Sequence, residues 1–218
     1  MNRTEIIRRF RTENPEIPER VITDPLLHDW CLDGDKEVCA ITRCIVDQDG
    51  TEITTVEDDE YYDLITQITN FYDIDEYPGG GVTYNDKRID KTSIAELDFK
   101  SPNWRNRDSG TPKAYYRRGK FLYLDRPVDS NVYTLKVYAV LISNDFDDDD
   151  KTPYNQLSYL EPFHNGINKY LQWKAKEKIG KEGSKARGEF VNYTTWMKSE
   201  IGGGKFSAIQ FTKDESYG

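Results

Sequence analysis

The sequence holds few of the residues that usually announce chemistry. It has three Cys, Cys31, Cys39 and Cys44, and two His, His28 and His164. An odd number of thiols confined to one short stretch suits reduced cysteine rather than a disulfide framework. Structural zinc takes ligand pairs presented by one tight turn; His28 and Cys31 have that spacing, Cys39 and Cys44 do not, so buried thiols are the reading and no metal is assigned. Neither His lies in a catalytic motif, and the chain has neither a nucleophile elbow nor a phosphate loop. With 39 acidic residues, any chosen carboxylate pair is uninformative. The expectation is a protein without catalytic residues or cofactor, not an enzyme.

Positive charge is also short. Lys and Arg number 30, which leaves a formal net charge of −9. Proteins that grip nucleic acid draw affinity from Lys and Arg displacing counterions from phosphate, so direct DNA binding is not expected. No apolar run approaches the roughly 20 residues that cross a bilayer, and residues 2–11 lack the apolar centre of a signal peptide, so a soluble protein made inside the cell is expected, with no membrane contact. The acid run of Asp145 and Asp147 to Asp150 lacks the central glycine and bidentate Glu of a calcium loop. It reads as a solvated connection able to pair with Lys-rich neighbours.

What is present is aromatic and patterned. The apolar share is 36%, and 15 of the residues are Tyr, so much of the burial must be amphipathic, rings inside and hydroxyls near water or a partner. Ile6, Ile7 and Phe10 have helical spacing, with Asn2 or Thr4 as cap. Asp24 before Pro25 opens one or two helices over residues 24–45. After a turn at Asp47 to Gly50 the composition turns β-like. Tyr61 to Tyr77 favours strand in its second half, and the most legible stretch runs from Gly110 to Leu141. There Ala114 to Tyr116 and Phe121 to Leu124 flank a polar turn as a hairpin, and alternation from Val132 to Leu141 adds a third strand of a predicted antiparallel meander. Pro162 is expected to open a helix carrying Phe163, Ile167, Tyr170 and Leu171. Gly180 stops it, and Ser184 caps a second helix with Ala186, Phe190, Tyr193 and Met197 on one face.

The predicted fold class is therefore α+β: a helical bundle from N- and C-terminal helices, with an antiparallel β-rich insertion and a flexible C-terminal tail. The boundaries are a helical segment at 1–46, the insertion at 47–143, a helical hairpin at 144–201 and a docking tail at 202–218. Three features read as partner-binding. Arg117, Arg118 and Lys120 put a basic tip on an acidic chain. Trp173 stands off the main apolar stripe of its helix, which implies a deeply buried helix or a subunit contact. Phe206, Ile209 and Phe211 lie in a strand-prone tail behind a triglycine, as in a chain end that pairs with something else.

This order of elements resembles the head-to-tail connector adaptor proteins of tailed, podovirus- or siphovirus-like bacteriophages. The matching residues are Tyr61 to Leu64 leading to Ile68 to Phe71, Ser93 to Asp98 followed by Pro102 to Trp104, and Gly110 to Pro112 with Tyr115 and Tyr116. Leu122 to Pro127 follows, then the acid segment before Pro153 that leads into Phe163 and His164. Together they span most of residues 20–200. The resemblance implies a virion neck protein assembled in the host cytoplasm as a ring of copies of itself, usually dodecameric. Such a ring docks on the portal protein and meets a downstream tail or nozzle protein. DNA passes through its channel without specific binding, which an acidic lining favours. The alternatives are another tail-completion, stopper or assembly protein, and a small cell-wall hydrolase using two carboxylates.

Overall fold

The computed structural model describes residues 1–76, 79–129 and 133–202. Among the described residues the protein is mixed α/β, with six helices and a nine-stranded sheet. The chain divides into two compact units, residues 1–45 with the chain from 142, and residues 46–141.

The first unit holds α1 (Arg3–Glu13), α2 (Asp24–Thr42), α5 (Asn165–Lys178) and α6 (Gly183–Gly202), and α5 packs against each of the other three. Asn2 caps α1 in a capping box with Glu5, which satisfies two otherwise unpartnered amides. Residues 24–42 form one uninterrupted helix, closed by Arg43 in the left-handed region at φ 57°. Gly34 does not break it, because it lies where α2 meets α5: a Cβ there would stand 2.8 Å from the Tyr170 ring. Two predicted helix starts move. Pro162 lies in a 3-10 turn, Ser158–Phe163, and α5 begins only at Asn165, so Phe163 and His164 precede the helix. Helix α6 begins at Gly183, and Ser184 is inside its first turn rather than its cap.

Ahead of α5 the chain passes through three consecutive left-handed residues, Tyr154, Asn155 and Gln156, with φ of 60°, 53° and 59°. Each such residue costs about 1–2 kcal/mol, so the surroundings must hold them. The fully buried Tyr154 donates its N–H to Asp35 Oδ1 at 2.9 Å and its hydroxyl to the Phe163 carbonyl at 3.0 Å.

The second unit carries the sheet. Its strands are β1 (Ile45–Val46), β2 (Thr51–Thr54), β3 (Tyr61–Asp63), β4 (Phe71–Ile74), β5 (Gly81–Tyr84), β6 (Lys87–Lys91), β7 (Ala114–Arg118), β8 (Phe121–Leu124) and β9 (Thr134–Leu141). The short helices α3 (Leu64–Gln67) and α4 (Ile94–Lys100) lie between them. The strand order is β1-β9-β5-β6-β7-β8-β3, with β2 and β4 also on β9. The turn before β2 forms as expected: Asp47 accepts from the Gly50 amide and from the Thr51 hydroxyl, and Gly50 takes φ +70°.

The hairpin β7–β8 also forms as expected, but the meander does not. The free edge of β8 takes β3, pairing Tyr61 with Tyr123 and Tyr62 with Leu122, while β9 pairs with β5 over Gly81 to Tyr84. The segment after β8 explains this. Asp125 accepts from the amides of Lys113 and Ala114, Gly110 donates to Pro127, and Val128 exchanges hydrogen bonds with Asp58 and Asp59. That stretch is held as a connection across the sheet end, so no tight turn returns β9 beside β8. Val132, the predicted start of β9, lies outside the described residues. Leu135, Val137 and Ala139 are buried with Val82, Tyr84, Tyr115, Leu122 and Leu124 in one core, as their alternation predicts.

Candidate assembly surfaces

The two faces of the hairpin do different work. Register pairs Tyr115 with Leu124 and Arg117 with Leu122, so these four share the face toward the main core. Tyr116, Arg118, Phe121 and Tyr123 take the other face. There Tyr116 and Tyr123 stack at 4.9 Å between centroids, Trp104 meets Tyr116 edge-on at 5.8 Å, and Tyr61 adds contacts to Phe121 and Tyr123. Asp98 fixes this aromatic platform by accepting from Trp104 Nε1 at 2.8 Å and from Arg105, whose guanidinium lies 4.5 Å above the Trp104 ring. That guanidinium holds the Asp98 carboxyl below the usual range. Nearby in sequence Phe99 projects from α4 and is 87% exposed.

The basic tip is only partly free. Gly119 takes φ +61° at the turn. Arg117 pairs with Asp73, donates Nε to the Gly119 carbonyl at 2.7 Å and lies over the Phe71 ring. Lys120 reaches Asp63 Oδ2 at 2.6 Å, and this hydrogen bond holds the Asp63 carboxyl low. Arg118 is exposed and forms no ion pair among the described residues.

Trp173 is half-buried between α5 and α6, stacked on Phe190 at 5.5 Å, edge-on to Tyr170, with Lys174 and Arg187 near its ring. Elsewhere on α6, Trp196 is exposed and packs on Phe163 and Tyr193. Phe206, Ile209 and Phe211 lie outside the described residues.

The acid run is pinned rather than loose. The buried Arg3 donates to Asp149 Oδ1 at 3.0 and 2.7 Å and to the Asp147 carbonyl at 2.9 Å, and Lys151 reaches Asp147 at 2.9 Å. These partners lower the carboxyls of Asp149 and Asp147. His28 lies 3.6 Å from Asp149. Cys31, Cys39 and Cys44 are buried free thiols, with 3.8 Å between the sulfurs of Cys39 and Cys44, and burial pushes Cys31 up to about 12. A thiol raised this far is a poor nucleophile and a poor ligand, since both roles require the thiolate. Among the described residues no group of three or more His, Cys, Asp or Glu is placed to hold a metal, and no helix is long and apolar enough to cross a membrane.

Sequence reasoning passed over Asp35, the Arg3 clasp and Phe99. Arg3 carried a usable signal, a cation in the first turn of a helix where cations are disfavoured. Asp35 carried none, because a charged residue beside a glycine in a helical stretch ordinarily faces solvent.

The second unit presents an aromatic platform and a basic hairpin tip, and the first presents a clasped acidic loop. The chain matches the SU10 adaptor protein family over residues 1–198 and belongs to that family, which makes it a phage adaptor, a structural component of the virion. A search of curated proteins finds no match.

Proposed function

We propose that this chain is a head-to-tail connector of a podovirus- or siphovirus-like phage, assembling as a ring, dodecameric in the usual form, that docks on the portal protein and extends the DNA channel toward the tail. The single observation that carries this is the family match across residues 1–198. The helices of both chain ends form a bundle that makes the ring wall, the insertion at 47–143 reaches the downstream tail or nozzle protein, and the tail at 202–218 docks on the portal. A net charge of −9 supports passage of DNA without adhesion during ejection. The exposed part of the tip at Arg118, with Arg117 and Lys120 behind it, and the half-exposed edge of Trp173 are partner contacts in this reading.

Native mass spectrometry of the chain mixed with its portal protein tests it: a complex carrying a full ring of copies is expected, and a monomer that ignores the portal overturns the reading. Removing residues 205–218 is expected to weaken portal binding at least about tenfold while leaving the melting temperature unchanged, because a short linked segment contributes through effective concentration rather than through the fold. Unchanged binding removes the tail from the interface.

A further inference from the structure

Beside the hairpin lies an open groove of about 570 Å³, lined by Lys91, Ser93, Ile94, Tyr116, Arg117 and Arg118. It exists because β6 leaves β7 early. The two strands pair in parallel only at Asp90 with Ala114 and Lys91 with Tyr115. Thr92 then donates to the Tyr115 carbonyl at 2.8 Å, the chain turns into α4, and β7 continues to Arg118. Of the cations on the groove, Lys91 is answered by Glu76 and Arg117 by Asp73. Arg118 is the cation that the described residues leave without an ion pair.

The acidic loop has the opposite imbalance. Arg3 and Lys151 take up Asp149 and Asp147, and in doing so fix the backbone between them. Asp148 and Asp150 stay exposed with no ion pair among the described residues, and the wholly buried Phe146 anchors the approach to them. The loop is thus held in shape with two exposed carboxylates that no ion pair among the described residues engages. One chain carries both a cationic groove and a preorganised anionic loop, and two different complementary patches on one chain are what a head-to-tail contact between identical subunits requires. Opposite charges at such a junction set register and partner choice more than raw affinity.

We propose that the groove receives the Asp147–Asp150 loop of a second copy of this chain, with Arg118 facing Asp148 and Asp150 at the junction between adjacent subunits. This rests on the ring reading above. Two measurements test it. In native mass spectrometry on the portal, Arg118→Glu is expected to lower ring yield at least about tenfold, since reversal replaces attraction by like-charge repulsion. Asp148→Lys with Asp150→Lys is expected to do the same, and all three changes in one chain are expected to restore the ring. Separately, an Arg118→Cys chain mixed with an Asp150→Cys chain is expected to give a covalent heterodimer on oxidation, which neither chain gives alone; the native thiols are buried and contribute no background. Correctly folded variants that leave ring yield unchanged, or a mixture that does not cross-link, overturn the inference while a wild-type ring leaves the ring reading standing. A wild-type chain that stays monomeric on the portal overturns both.

Discussion

At the residue scale, Asp35 holds the first of three consecutive left-handed residues, Tyr154 to Gln156. It is 1% exposed, and burial pushes its carboxyl up to about 6 from an ordinary 3.8, the bonds from Ser143 and the Tyr154 amide opposing that shift. A carboxyl that binds its proton more tightly when folded contributes stability that is full below about pH 4 and is lost as the pH rises through about 6. Asp35→Asn keeps an acceptor for Tyr154 without the charge. In urea titrations the stability of wild type relative to this variant is expected to fall by on the order of 2–3 kcal/mol from pH 4 to pH 7; parallel curves would remove Asp35 as the cause. His164 acts in the opposite sense. Burial lowers it to about 4 from 6.5, so its contribution is present above about pH 6.5 and is lost as the pH falls through 4. Neither effect was legible in the sequence, because the burial of Asp35 depends on Tyr154, 119 positions away.

At the scale of elements, close approach and turn chemistry decide what tolerates change. Gly34→Ala places a methyl 2.8 Å from the Tyr170 ring. Overpacking of about 1–3 kcal/mol opposes a helix-propensity gain of about 1 kcal/mol, and a lower melting temperature is expected. Gly119 has open space around its Cβ position but φ +61°, so Gly119→Ala is expected to cost about 1 kcal/mol through backbone strain alone, a loss a thermal melt reads directly. The hairpin β7–β8 was legible because its residues and its turn are adjacent in the chain. The helices over residues 3–13 and 24–42 and the later pair were legible from their apolar spacing, and the first also from its Asn2 cap, whereas the starts of the later pair were not. The neighbour of β8 was not, since β3 lies some 60 residues earlier and wins that edge through hydrogen bonds made by residues 125–128, which local pattern does not encode. The aromatic platform was half legible: Tyr116 and Tyr123 alternate correctly, but Trp104 reaches them from a separate segment, by its edge-on contact with Tyr116 and its hydrogen bond to Asp98.

At the scale of the whole molecule, the chain reads as a component rather than a machine, with its chemistry spread over surfaces. Its charge was legible from composition, and so was the scarcity of catalytic residue types. The pairing of charges was not: Arg117 and Lys120, read as an exposed tip, are tied to Asp73 and Asp63 from other strands, while Arg118 has no ion pair among the described residues. The central claim is that many copies of this chain close into a ring on the portal. Native mass spectrometry of this chain with purified portal protein tests it most directly. A discrete complex is expected whose mass equals the portal plus one complete ring of this chain, with partial rings scarce; free monomer beside unaltered portal at micromolar concentrations of both would contradict it.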